Sequence, residues 1–154
     1  MLGIGDTAPE FSLLDLQGRT KSLRDFISNK PTLIALFKVS CPVCQFTFPF
    51  LQRLAKSDNL EVVGISQDDV EDTEDFRKAY GVTFTTLVDE PRKGYPVSNA
   101  YGITSVPSLF LVEPGGEISM AGAGFNKREL ETLGRLAGVQ PFQPGEKIPE
   151  FKGG

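Results

Sequence analysis

The sequence predicts an α/β fold: a central mixed β-sheet flanked by helices, with an N-terminal β-hairpin extension. Three observations carry the prediction. Apolar runs at Thr32–Phe37, Leu60–Ser66 and Ser108–Val112 read as core strands, the first of them continuous enough to be buried on both faces. Segments of helical period alternate with these runs. The turn signal Pro114-Gly115-Gly116 is followed by a returning strand, Glu117 to Ala121, which must pair antiparallel and so makes the sheet mixed.

The remaining elements follow in order. Phe11 to Leu16, the turn residues Gln17-Gly18, and Thr20 to Ser22 read as a short hairpin. Ser22 is placed to cap a brief helix over Leu23 to Phe26. After the first core strand comes Cys41-Pro42-Val43-Cys44, leading into a helix through Lys56. Val43, Phe46, Phe50 and Leu54 form one stripe of that helix, and Phe48, Leu51 and Ala55 another. That spacing assigns the phenylalanines to the core rather than to a substrate groove. Pro49 lies inside the helix and should kink it.

The acidic stretch Asp68 to Asp75 opens a helix that runs to Tyr80 and stops at Gly81. The stretch lacks the ordered spacing and glycine of a calcium loop. Thr86 to Val88 reads as a short strand and Val97 to Tyr101 as a short helix. Asn126-Lys127-Arg128-Glu129 has the form of a capping box, followed by a helix with Leu130, Leu133 and Leu136 that ends at Gly138. These elements make one domain over residues 1–138. Residues 139–154 form a Pro/Gly-rich C-terminal tail, extended over the surface or partly disordered.

Composition narrows the function classes. The 154 residues are 40% hydrophobic and 23% charged, with a net charge of −4 and no basic cluster, which argues against a nucleic-acid partner. No apolar run approaches the roughly 20 residues of a membrane span. The first residues show no secretory signal, so the reading is cytoplasmic, or periplasmic if a leader has been trimmed. There is no histidine, which removes Ser-His and Cys-His catalysis. Two cysteines are too few for a zinc site within one chain, and neither a metal nor a cofactor is expected.

The two cysteines carry the chemistry. A CxxC that follows a buried strand and opens a helix holds a sulfur where unpaired N–H groups and the helix dipole favour an anion. Thiolate is the nucleophile of disulfide exchange. Cys41 is therefore assigned as the exposed nucleophile and Cys44 as the more buried resolving thiol. Pro42, at the start of the helix, costs no hydrogen bond. Lys38, three residues before Cys41, and Ser40 beside it are candidates to stabilise the thiolate. The blander readings are a lysine snorkelling from a strand end and an ordinary loop serine. For the cysteine pair they are two small buried apolar residues or half of an intermolecular zinc site.

Further motifs accompany the CxxC: Gly5-Asp6-Thr7-Ala8-Pro9-Glu10-Phe11, Asp15-Leu16-Gln17-Gly18 followed by Ser22-Leu23 and Asp25-Phe26, Pro49, and Val106-Pro107 before a strand. By these the chain resembles the thioredoxin superfamily, in particular the redoxin branch of TlpA/ResA-type reductases and AhpC/TSA peroxiredoxins. The resemblance covers about residues 3 to 138. It implies that Pro107 is the family's cis-proline beside the CxxC. It also implies that Val106, Pro107 and Pro42 contact substrate, the backbone of Val106 taking an extended segment like an added strand.

The sequence departs from the family where related proteins carry an acid that can take the resolving thiol's proton. Ala35 and Thr47 occupy those positions, and Ser40 stands where a tryptophan is common. The activity implied is thiol–disulfide exchange with disulfide-containing proteins or small molecules, fed by a thiol electron donor. Two alternatives are a thiol peroxidase and a non-enzymatic redox-switch binding module. The peroxidase pattern needs proline and threonine ahead of its cysteine. Those offsets hold Phe37 and Cys41 before Cys44, and Ile34 and Lys38 before Cys41.

Overall fold

A computed structural model of the protein describes residues 1–154. The apolar run Thr32–Phe37 forms β3, with every residue buried. It is flanked on one side by β4 (Glu61–Ser66), in parallel, and on the other by β6 (Ser108–Val112), antiparallel. The hairpin β1 (Ser12–Asp15) and β2 (Thr20–Ser22) joins through β5 (Thr86–Val88), and β7 (Ile118–Ala123) closes the far edge. The strand order is β2-β1-β5-β4-β3-β6-β7. Asp15 holds the hairpin turn: its buried carboxylate accepts the N–H groups of Gln17 and Arg19 and pairs with the Arg19 guanidinium at 2.9 Å. Burial pushes this carboxyl up, but the bonds from Arg19 and Gln17 outweigh it and hold it below its usual value.

Alternation along the strands separates two apolar layers. Leu33, Ala35 and Phe37 of β3, with Val62, Leu109 and Leu111, face α2 (Pro42–Leu54), α3 (Val70–Tyr80) and α5 (Lys127–Ala137). Ile34 and Leu36, with Val63, Ile65, Phe110 and Val112, face α1 (Leu23–Ile27), α4 (Pro96–Ala100) and the N-terminal residues Ala8 and Phe11. Phenylalanine dominates the first layer. Phe48 is wholly buried and packs on Phe37, Phe76 and Phe84 with ring centroids 4.3, 5.5 and 5.7 Å away. The helix α2 is unbroken through Pro49.

Most helix ends match the sequence reading. Asp69 caps α3, accepting the Asp72 N–H at 2.8 Å, and Gly81 ends it in the left-handed region at φ 66°. At α5 only half of the expected box forms. Asn126 accepts the Glu129 N–H at 3.1 Å, but the Glu129 carboxylate turns onto Gly122 of β7. Gly122 has no side chain, so the carboxylate fills the open space over the sheet and is drawn away from the cap. Its burial there raises its pKa.

The Pro/Gly-rich segment after Gly138 is extended and held. Phe142 packs on Phe50 and Phe125 at 5.2 and 6.2 Å. Arg53 of α2 forms a two-pronged ion pair with Glu146, at 2.7 and 2.8 Å, and also donates to the Pro141 carbonyl. Further on, β9 (Phe151–Lys152) pairs antiparallel with β8 (Phe125–Asn126). Compositional bias alone could not show these anchors, because Phe50 and Arg53 lie about ninety residues back in the chain.

Two outcomes are expected. Phe48→Ala leaves a cavity among three rings and costs about 3–5 kcal/mol in chemical denaturation. The Arg53 bond and the Gln143 N–H hold the Glu146 carboxyl at about 2 against an ordinary value of 4.5. Its stabilisation is present above the ordinary value and is lost as pH falls from about 4.5 towards about 2. Glu146→Gln should flatten the denaturation midpoint across that window.

Candidate active site

Strand register assembles the site. The parallel pairing of β3 with β4 ends at Phe37↔Ser66, so the residues two beyond each end, Val39 and Asp68, become neighbours. The Asp68 carboxylate accepts the Val39 N–H at 2.8 Å, and the Gln45 side-chain amide donates to the Val39 carbonyl at 2.9 Å. These bonds tie down the loop that leads to Cys41. On the other side, antiparallel β6 begins at Ser108 opposite Leu36, which puts Val106 and Pro107 against the same end of β3. The Val106–Pro107 peptide bond is cis.

Cys41 is the N-cap of α2, and Pro42 is its first helical residue. The Cys41 Sγ accepts the Cys44 backbone N–H at 3.1 Å, the bond a capping oxygen would otherwise make. The thiol donates to the Val106 carbonyl at 3.5 Å. Cys41 is half-buried, whereas Cys44 is 0% exposed, one turn into the helix and enclosed by the phenylalanine layer. Both are free thiols. Burial pushes the Cys44 thiol far up, and its hydrogen bond to Cys41 adds to the effect. The Lys38 backbone N–H opposes this only in part.

The sequence-derived site residues divide in two. Cys41, Cys44, Pro42 and Val106 come together, with Pro107 buried behind Val106. Lys38 approaches through its backbone: its amide faces Cys44 and its carbonyl accepts the Cys41 N–H at 3.3 Å, while its side chain is exposed. Ser40 is exposed; the Cys41 sulfur instead accepts the Cys44 N–H and donates to the Val106 carbonyl. Ala35 and Thr47 are both buried, and the Thr47 hydroxyl donates to the Val43 carbonyl at 2.7 Å. Asp68 and Gln45 were not singled out in the sequence. The available signal was the strand ending Gly64-Ile65-Ser66, whose following acid must lie beside the loop after a parallel neighbour. No group of three or more His, Cys, Asp or Glu is arranged to hold a metal. No helix is long and apolar enough to cross a membrane.

Residues 4–121 match the AhpC/TSA family. The chain belongs to that family. It is 26% identical over 145 residues to the thiol-disulfide oxidoreductase ResA of Geobacillus kaustophilus, covering 91% of this chain and 80% of the relative. It is 32% identical over 130 residues to the methylamine utilization protein MauD of Paracoccus versutus, covering 84% and 64% respectively. The crystallised thioredoxin domain of a thiol-disulfide oxidoreductase from Bacteroides vulgatus superposes with a TM-score of 0.79 at 23% identity, covering 89% of this chain and 99% of that domain. The fold is therefore thioredoxin-like.

The two sulfurs should differ in access. Iodoacetamide is expected to label Cys41 alone in the native reduced protein, with Cys44 labelled only on unfolding. Peptide mass mapping of the alkylated protein checks this.

Proposed function

We propose that the protein is a thiol–disulfide oxidoreductase acting on disulfide-containing proteins or small molecules, with Cys41 as nucleophile and Cys44 as resolving thiol. The observation that supports it best is the asymmetric pair: one accessible sulfur capping a helix, and a second buried one turn later. The Cys41 thiolate attacks one sulfur of the substrate disulfide. A mixed disulfide forms and one substrate thiolate leaves. The Cys44 thiol then loses its proton and attacks the Cys41 sulfur, forming the Cys41–Cys44 disulfide and releasing the second substrate thiol. Two electrons pass to the substrate, and a thiol donor restores the dithiol. In a cytoplasmic thiol pool this flow runs towards substrate reduction.

Ionising Cys44 is the demanding step. Burial disfavours its thiolate, and neither Ala35 nor Thr47 offers a carboxylate to take the proton. Water or the departing substrate thiolate must take it. The backbone amides of Lys38 and of Cys44 itself favour the anion once it forms.

Equilibration in glutathione or dithiothreitol redox buffers, followed by thiol trapping, tests the reading. A reversible two-electron transition between dithiol and disulfide is expected; its absence refutes the assignment. Cys41→Ser should abolish turnover of insulin disulfides, and Cys44→Ser should accumulate mixed disulfides. Because Cys44 is held protonated, release from the mixed disulfide should accelerate as pH rises above 7. A pH-independent rate would show that the proton leaves by another route.

A further inference from the structure

Residues 151–154 run beside the cis-proline turn that faces Cys41. β9 pairs with β8, with Phe125 opposite Lys152 and Asn126 opposite Phe151. Its approach is fixed by the Lys127 N–H donating to the Glu150 carbonyl at 3.0 Å and by a Lys127–Glu150 ion pair at 3.6 Å. The Lys152 ammonium stands 5.4 Å from the centroid of Phe46, the one phenylalanine of the three in α2 that is not buried. The backbone then passes Gly124, and Gly154 lies on the Val106 carbonyl. This is the same carbonyl that accepts the Cys41 thiol.

Two backbone contacts are made here, and each needs a glycine on one side. A β-carbon on Gly124 would overlap the Lys152 carbonyl, and Gly124 itself lies at φ +80°. A β-carbon on Gly154 would overlap the Val106 carbonyl and crowd the Pro107 ring at 3.2 Å. Two backbones meet here at a distance that side chains would forbid.

We propose that residues 151–154 are a tethered occupant of the groove beside Cys41, excluding polypeptide disulfides while leaving small disulfides access to the sulfur. The inference rests on the oxidoreductase reading and adds a selectivity to it. A polypeptide delivered along Val106 must displace Gly154, whereas a compact disulfide needs only to reach the partly buried Cys41. The occupant is built to yield. Phe151 is 57% exposed, the pairing is two residues long, and local opening of such a segment costs little. Its tether nevertheless keeps its local concentration in the range of mM, above that of most free substrates.

The test compares the full chain with a variant ending at Glu150 and with Gly154→Val, whose branched side chain cannot sit on the Val106 carbonyl. For each, kcat/KM is measured on insulin and on the small aromatic disulfide 5,5′-dithiobis(2-nitrobenzoate). The insulin value is expected to rise at least fivefold in both variants, with less than a twofold change for the small disulfide. An unchanged ratio of the two substrates overturns the proposal while leaving the oxidoreductase reading intact. If no variant turns over either substrate, that reading falls, and the groove is judged separately by labelling Cys41. A bulky polyethylene-glycol maleimide should react faster in both variants than in the full chain, and equal rates overturn the proposal.

Discussion

The structure depends on the register of β3 with its two neighbours. Parallel pairing with β4 and antiparallel pairing with β6 bring the ends of β3 and β4 and the start of β6 to one end of the sheet. The loop carrying Cys41, the loop carrying Asp68 and the cis-proline turn meet there. A slip of one residue in either pairing would exchange the residues that β3 presents to the two apolar layers. The phenylalanine layer and the placement of the two sulfurs are therefore fixed by the same hydrogen-bond ladder.

Within that frame, chemistry comes from unequal surroundings. The two cysteines are three residues apart, yet one sits at a helix cap facing the cis-proline turn and the other among aromatic rings. The asymmetry arises from position along α2: Cys41 is the N-cap at the open end of the helix, and Cys44, one turn further in, is enclosed where the helix packs on the sheet. The bonds from Asp68 and Gln45 to Val39 keep that first turn in place from outside the helix.

The strands were legible because burial on two faces demands uninterrupted apolar residues, which Thr32–Phe37 and Ser108–Val112 supply. The α3 boundaries were legible because Asp69 and Gly81 act locally. What escaped the sequence depends on residues distant in the chain. Glu129 has the right spacing for a reciprocal cap, but the empty volume over Gly122 draws its side chain away. Lys38 has the right charge near Cys41, but the end of β3 directs its side chain outward and its amide inward. The course of the segment beyond Gly138 is written in Arg53, Phe50 and Gly124, none of which is near it in sequence.

The enclosure of Cys44 also bears on damage by oxidants. A peroxide reaching the site meets Cys41 first and converts it to a sulfenic acid. With Cys44 one helical turn away, condensation to the internal disulfide, with loss of water, competes with addition of further oxygen. The buried sulfur is itself beyond the reach of the oxidant, so the pair can stop at a state that thiols reverse. Irreversible sulfinic or sulfonic products would then fall on Cys41, in those molecules where the two sulfurs have been kept apart.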